Sequence, residues 1–188
     1  MKILTGSLRG KAIQFRPNPK LRPTSDKVRK AIFDMLQGAL QDKNVLDLFS
    51  GTGALGIEAL SAGAARVTFV EMNKNQCCVI KENLIRLGLT ERAEAVNLDA
   101  IAAIGSFGRE GEFYDIIFLD PPYEKEWGAR TLEALSKSSI VHEDTLIILE
   151  CNKREEPPRV VGQLKCVRAK LYGDTQILVY KSGGLVDG

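Results

Sequence analysis

Apolar residues recur along this chain in two alternating rhythms. Short strand-like runs occupy Val45–Phe49, Arg66–Glu71, Ala93–Asp99, Tyr114–Asp120 and Thr145–Glu150. They are rich in the branched and aromatic residues that pack on a pleated surface. Helical spacing fills several of the intervals. Gly53–Ala62 reads as a helix stopped by Gly63. Asn73 caps a helix whose Ile80, Leu84 and Leu87 share one face before Gly88 ends it, and Trp127–Leu135 reads as a further helix. Ile116, Ile117, Phe118 and Leu119 are apolar without a break, as a strand is when helices cover both faces of a parallel sheet. This alternation predicts a doubly wound, Rossmann-like α/β fold. Near the end, Lys165–Tyr172 and Thr175–Lys181 are extended runs separated only by Gly173-Asp174. So short a connection demands an antiparallel hairpin, and one strand should run against the others.

Ahead of the alternation the pattern differs. Lys2–Thr5 and Lys11–Phe15 flank a turn-like Gly6-Ser7-Leu8-Arg9-Gly10 and predict a small hairpin. Arg16 to Pro23 holds three prolines and cannot be regular. Thr24, Ser25 and Asp26 then offer helix caps. Val28, Ile32, Met35 and Ala39 recur at helical spacing, with Phe33 and Leu36 widening the stripe. The organisation expected is a basic arm over 1–23, a domain over 24–182 (helix 24–40, core 44–182) and a loose tail over 183–188.

Composition changes this picture little, but charge placement changes it more. A chain of 188 residues, 44% apolar, suits one domain with a sizeable core. The overall charge is +2, yet the first thirty residues hold nine basic side chains against Asp26 alone, so they carry +8 and the remainder −6. A basic arm on a mildly acidic body is a footprint for a polyanion. Lys27, Arg29 and Lys30 crowd the first turn of their helix and oppose its dipole, which a nearby anion would relieve. Cys77, Cys78, Cys151 and Cys166 show no C-x-x-C spacing and His142 is the single histidine, so neither a zinc site nor a disulfide framework is expected. No apolar run approaches the roughly 18 residues needed to span a bilayer, and Met1–Gly6 breaks too soon for a signal peptide. A soluble, cytoplasmic protein, monomeric and without metal, is the expectation.

The candidate chemistry lies at two strand ends. Gly51-x-Gly53-x-x-Gly56 follows a strand and opens a helix, a turn that lets backbone approach a nucleotide-type cofactor. Glu71, at the end of the next strand, can accept hydrogen bonds from both ribose hydroxyls. NAD and S-adenosylmethionine fit this much equally. Asp47 separates them: a carboxylate beside the loop would repel a pyrophosphate and attract the ammonium of a methionine moiety. Asp99 could meet the adenine amino group or simply cap a helix. Phe49, Met72 and Ala100 adjoin these positions and complete the candidate cofactor set with Asp47, Gly51, Gly53, Glu71 and Asp99.

Asp120-Pro121-Pro122-Tyr123 ends the fourth strand beside that crevice. The lone pair of an exocyclic base amine is delocalised into its ring, and acceptors around the two hydrogens redirect it toward an electrophile. The Asp120 carboxylate and Pro121 carbonyl can be those acceptors, the prolines fixing the backbone that aims the carbonyl. Tyr123 can stack on the base. Catalysis is then positioning and electrostatics, with no metal and no covalent enzyme intermediate.

With these residues in place, the sequence resembles the class I S-adenosylmethionine-dependent amino-methyltransferases. Leu21-Arg22-Pro23-Thr24-Ser25-Asp26 through Phe33 resembles the R-P-T-x-D…F segment of the bacterial small-subunit rRNA guanine-N2 methyltransferases, the RsmD family. Thr5-Gly6-x-x-Arg9-Gly10-Lys11 and Tyr172-Gly173-Asp174-Thr175 resemble that family's arm and terminal hairpin. The resemblance implies a seven-stranded sheet with an antiparallel last strand. It implies as substrate a guanine of 16S rRNA, within a partly assembled 30S particle, and phosphate contacts from Arg9, Lys11, Arg22 and Arg29. Three other readings stay open: an amino-methyltransferase acting on another base or a protein amine, an NAD-binding dehydrogenase, and a non-catalytic RNA-binding module.

Overall fold

The computed structural model describes residues 1–15, 24–122 and 127–183. Its core alternates as the hydrophobic pattern requires. After helix α1 (Asp26–Met35) come β1 (Asn44–Asp47), α2 (Ala54–Ser61), β2 (Arg66–Val70), α3 (Lys74–Leu87), β3 (Ala93–Val96), α4 (Ala100–Glu110), β4 (Tyr114–Leu119), α5 (Trp127–Ser136) and β5 (Val141–Asn152). The chain finishes with β6 (Val160–Val161), β7 (Leu164–Tyr172) and β8 (Thr175–Ser182). Helix α4 is not among the elements expected from periodicity. The first helix is shorter than the expected 24–40 span, and β5 is longer than Thr145–Glu150.

One sheet contains all eight strands in the order β3-β2-β1-β4-β5-β8-β7-β6. The first five are mutually parallel; β8 runs antiparallel to β5, and β7 returns antiparallel to β8. The seven-stranded sheet with a reversed last strand is therefore present, extended by two-residue β6 pairing on β7. Alternate residues of β4 supply two separate cores. Ile116 and Phe118 join a layer with Ile32, Ile57 and Ile80 of α1, α2 and α3. Ile117 and Leu119 join a layer with Ile104 and Leu132 of α4 and α5. Strand order reverses between β1 and β4, the crevice where open α/β sheets take their ligands.

The amino-terminal segment is fused to this body. Its expected hairpin is present in short form, an antiparallel bridge Lys2↔Ala12 flanked by bonds from the Ile3 amide to the Lys11 carbonyl at 3.0 Å and from the Ile13 amide to the Met1 carbonyl at 2.8 Å, and Ile3 and Ile13 are buried in the first core layer. Glu58 of α2 binds it: the amides of Leu4 and Thr5 donate to the two carboxylate oxygens at 2.6 and 3.1 Å, and the Thr5 hydroxyl donates at 3.0 Å. Arg29 of α1 completes the knot. Its guanidinium lies 3.3 Å from Glu58, both side chains 0% exposed, and it donates to the Lys2 carbonyl at 2.7 Å.

This corrects one expectation. Arg29 is sealed inside the protein and does not face an RNA phosphate; the anion that balances the basic first turn is Glu58, with Asp26 at 3.0 Å. Lys30 of the same turn pairs with Asp34 at 2.7 Å. Arg9 and Lys11 remain exposed on the segment. Arg22 and Tyr123 lie outside the described residues.

Candidate active site

The carboxyl ends of β1, β2 and β4 bring three acids to one crevice. Asp47 is the last residue of β1 and pairs in register with Phe118 of β4, so Asp120 follows just beyond. The Asp47 side chain is 1% exposed. One oxygen, Oδ2, accepts from the Gly56 amide at 3.1 Å; the other, Oδ1, is buried with no hydrogen-bond partner among the described residues. Burial pushes this carboxyl up to about 7, the Gly56 bond pulling it down and the charges of Asp120 and Glu71 adding to the rise. A buried acceptor left unpaired costs on the order of 1–3 kcal/mol. An ammonium, which donates hydrogen bonds and brings the opposite charge, would remove that cost.

The glycine turn then carries the chain from β1 to α2. Gly53, the helix N-cap, takes a left-handed φ of 76°, a conformation costly for any residue with a Cβ. Gly56 serves close packing: a Cβ there would stand 2.2 Å from Phe69 Cε1. The turn is tied to the next strand through Glu71, whose Oε2 accepts from the Gly51 amide at 2.8 Å and whose Oε1 accepts from the Asn73 amide at 2.7 Å. Burial raises the Glu71 carboxyl and these two bonds oppose the rise. Each carboxylate oxygen has a second lone pair for a ribose hydroxyl.

Around this centre the other candidates divide. Asp99 caps α4, its Oδ1 accepting from Ile101 and Ala102 amides at 2.9 and 3.2 Å. The capping alternative is therefore realised, and Ala100 beside it is buried. Met72, 72% exposed, stands on the rim. Phe49 meets Trp127 edge to face with centroids 6.3 Å apart. Asn97 escaped the sequence reading, yet its amide donates to the carbonyls of Glu71 and Met72, both at 2.8 Å, and so fixes the tip of β2. A loop Asn two residues before a cap gave no motif to find it by.

Asp120 closes the crevice from β4. The Thr24 hydroxyl donates to its Oδ2 at 2.6 Å. Burial raises this carboxyl above the usual range, and the Thr24 bond opposes the rise. Pro121 is buried and Pro122 exposed. Cys151 of β5 is buried in the second core layer; burial, with the charges of Glu155, Glu150 and Asp120, pushes its thiol up to about 12, leaving it protonated at neutral pH. Among the described residues no cluster of His, Cys, Asp and Glu could hold a metal ion.

Strand order, glycine turn and acid placement together describe the class I, S-adenosylmethionine-dependent methyltransferases. Comparison with known proteins narrows the class. The family described as conserved hypothetical protein 95 matches residues 1–181. Ribosomal RNA small subunit methyltransferase D of Escherichia coli strain K12 is 31% identical over 181 residues, covering 96% of this chain and 89% of that protein. The protein of the same name from Haemophilus influenzae is 32% identical over 154 residues, covering 81% and 79%. Among solved structures, Escherichia coli yhhF superposes with a TM-score of 0.83 at 30% identity, covering 98% of each chain. The chain belongs to this family of S-adenosylmethionine-dependent methyltransferases.

Proposed function

We propose that the protein methylates the exocyclic N2 of a guanine in small-subunit rRNA. The observation that carries the reading is the pair of acids at the strand-order reversal: Asp47, buried with an unpartnered oxygen, and Asp120, next to it on the neighbouring strand. Asp47 Oδ1 seats the ammonium of the cofactor, Glu71 takes its ribose, and Met72 and Phe49 flank its adenosine. Asp99, already committed to α4 through Oδ1, keeps its second oxygen for the adenine amine. Bound S-adenosylmethionine supplies an electrophilic methyl carbon on a sulfonium.

Asp120 and the Pro121 carbonyl accept the two hydrogens of the guanine amine and aim its lone pair away from the ring. The new N–C bond forms as the C–S bond breaks, and the surplus proton leaves through Asp120 to solvent. Burial makes Asp120 a better proton acceptor than an exposed aspartate. Tyr123 stacks on the base, and the exposed Arg9 and Lys11, with Arg22, contact phosphate. The named relatives act on small-subunit rRNA. The amino-terminal segment that carries Arg9 and Lys11 lies inside the region matched by the family.

The deciding experiment supplies tritiated S-adenosylmethionine and purified protein to small ribosomal subunits from a strain lacking the gene. Digestion should release label as N2-methylguanosine. Label in a methylated adenosine or cytidine, or in ribosomal protein, would replace guanine with another amine. Absence of transfer to any subunit preparation would remove the ribosomal assignment.

A further inference from the structure

Thr24 lies in the segment before α1, and its hydroxyl meets the catalytic carboxylate 96 positions further along. We propose that Thr24 is a positioning residue for Asp120: its hydroxyl holds Oδ2 and so turns Oδ1 toward the incoming amine. The inference rests on the methyl-transfer reading for its purpose, although its geometry stands alone.

Three features support it. At 2.6 Å the bond is short, as charge-assisted O–H···O⁻ contacts are. Thr24 is anchored on the side away from Asp120, because Ser25 caps α1 by accepting from the Val28 amide at 3.2 Å. Helix α1 is in turn locked through Arg29 to Glu58. The hydroxyl is therefore presented by a rigid element, and a β-branched side chain restricts its χ1 further. A carboxylate free to rotate would divide its two oxygens among several directions. One with Oδ2 already engaged offers a single lone-pair direction to the amine. The same bond favours the ionised acceptor form against burial. Other titratable groups facing Asp120 among the described residues are Asp47 from β1 and the Cys151 thiol from β5, with Glu71 behind Asp47. Of the described groups around this carboxylate, the Thr24 hydroxyl is the one that donates a hydrogen bond to it.

The test compares Thr24→Val and Thr24→Ser with the wild type. Thr24→Val keeps the shape and removes the donor. It should lower kcat roughly tenfold or more, from the usual worth of a hydrogen bond to a charged group, and leave S-adenosylmethionine affinity unchanged by calorimetry. The acid limb of its kcat profile should move to higher pH, because loss of a donor to the carboxylate raises the Asp120 pKa. Thr24→Ser should restore both turnover and limb. A Thr24→Val enzyme with wild-type kcat and limb overturns the proposal, as does one that loses turnover with no movement of the limb. Carbon-13 NMR titration of the Asp120 carboxyl, in wild type and Thr24→Val without RNA, reads the same shift independently of substrate. If wild type transfers no methyl to RNA while the titration moves upward in the variant, the functional reading fails and the Thr24 inference stands. An unmoved titration sinks the inference alone.

Discussion

Two buried carboxylates, Glu58 within α2 and Asp47 at the end of β1, have contrary surroundings. Glu58 touches Leu4 and Thr5 amides, the Thr5 hydroxyl and the Arg29 guanidinium. Asp47 has one amide on Oδ2 and nothing on Oδ1 among the described residues. The first is a charge whose partners the chain itself provides, and its effect is to weld the amino-terminal segment to the sheet. The second is a carboxyl held out of water, pushed toward its neutral form by burial, with one oxygen the chain leaves unpartnered among the described residues. A protein keeps such a group where a ligand completes it. The contrast separates acids that make the fold from acids that wait for chemistry.

The sharpest way to break the contrast is to remove one partner from each. Glu58→Ala should destabilise by about 3–5 kcal/mol, because the buried Arg29 guanidinium keeps only the exposed Asp26 as counter-charge and the Leu4 and Thr5 amides lose their acceptor; the drop is read from the urea midpoint at constant slope. An unfolding midpoint equal to wild type would mean the knot is ornamental. Asp120→Ala should cost about 10²–10³ in turnover while cofactor affinity holds, measured in single-turnover methylation. Asp47→Asn should weaken S-adenosylmethionine roughly 10–100-fold, the equivalent of about 1.5–3 kcal/mol for one charge-assisted bond. Without ligand its stability near neutral pH should equal or exceed that of wild type, the opposite of the Glu58 result.

Acidity sharpens the comparison further. Asp47 binds its proton more tightly when folded, its pKa moving from 3.8 to about 7. The unliganded protein should therefore lose stability as pH rises through that window, since the folded state holds the extra proton. Cofactor affinity should climb from pH 5 to pH 7 and then level, because the ammonium selects the ionised form. Asp47→Asn should flatten both trends, and calorimetry across the window would expose a profile that does not. The smallest effect belongs to the surface: replacing Arg9 and Lys11 by Ala should reduce the salt slope of RNA binding by about 0.7–0.9 per side chain.

The sheet was legible because its strands carry their own pattern. Val45–Phe49 and Ile116–Leu119 needed no partner to be recognised, and the Gly173-Asp174 turn announced the reversed strand. Helix α4 was hidden by its glycines, Gly105 and Gly108, which blur a helical stripe. Asp47, Glu71 and Asp120 stood at strand ends, where position alone makes a carboxylate informative. Arg29 misled because its meaning depends on Glu58, on another helix and 29 residues away. A cation next to other cations looks solvated until the tertiary partner is known. Asn97 was invisible for a related reason: it acts on backbone carbonyls, which have no sequence signature.

The third glycine of the turn governs more than the passage from strand to helix. Gly56 brings α2 within van der Waals reach of Phe69 and lends its amide to Asp47 at 3.1 Å. Spacing between two layers of the scaffold is thereby converted into the tilt of one acid. A methyl group added at that position would prise the layers apart and skew the seat of a ligand it never touches, so a packing detail sets the calibration of the pocket.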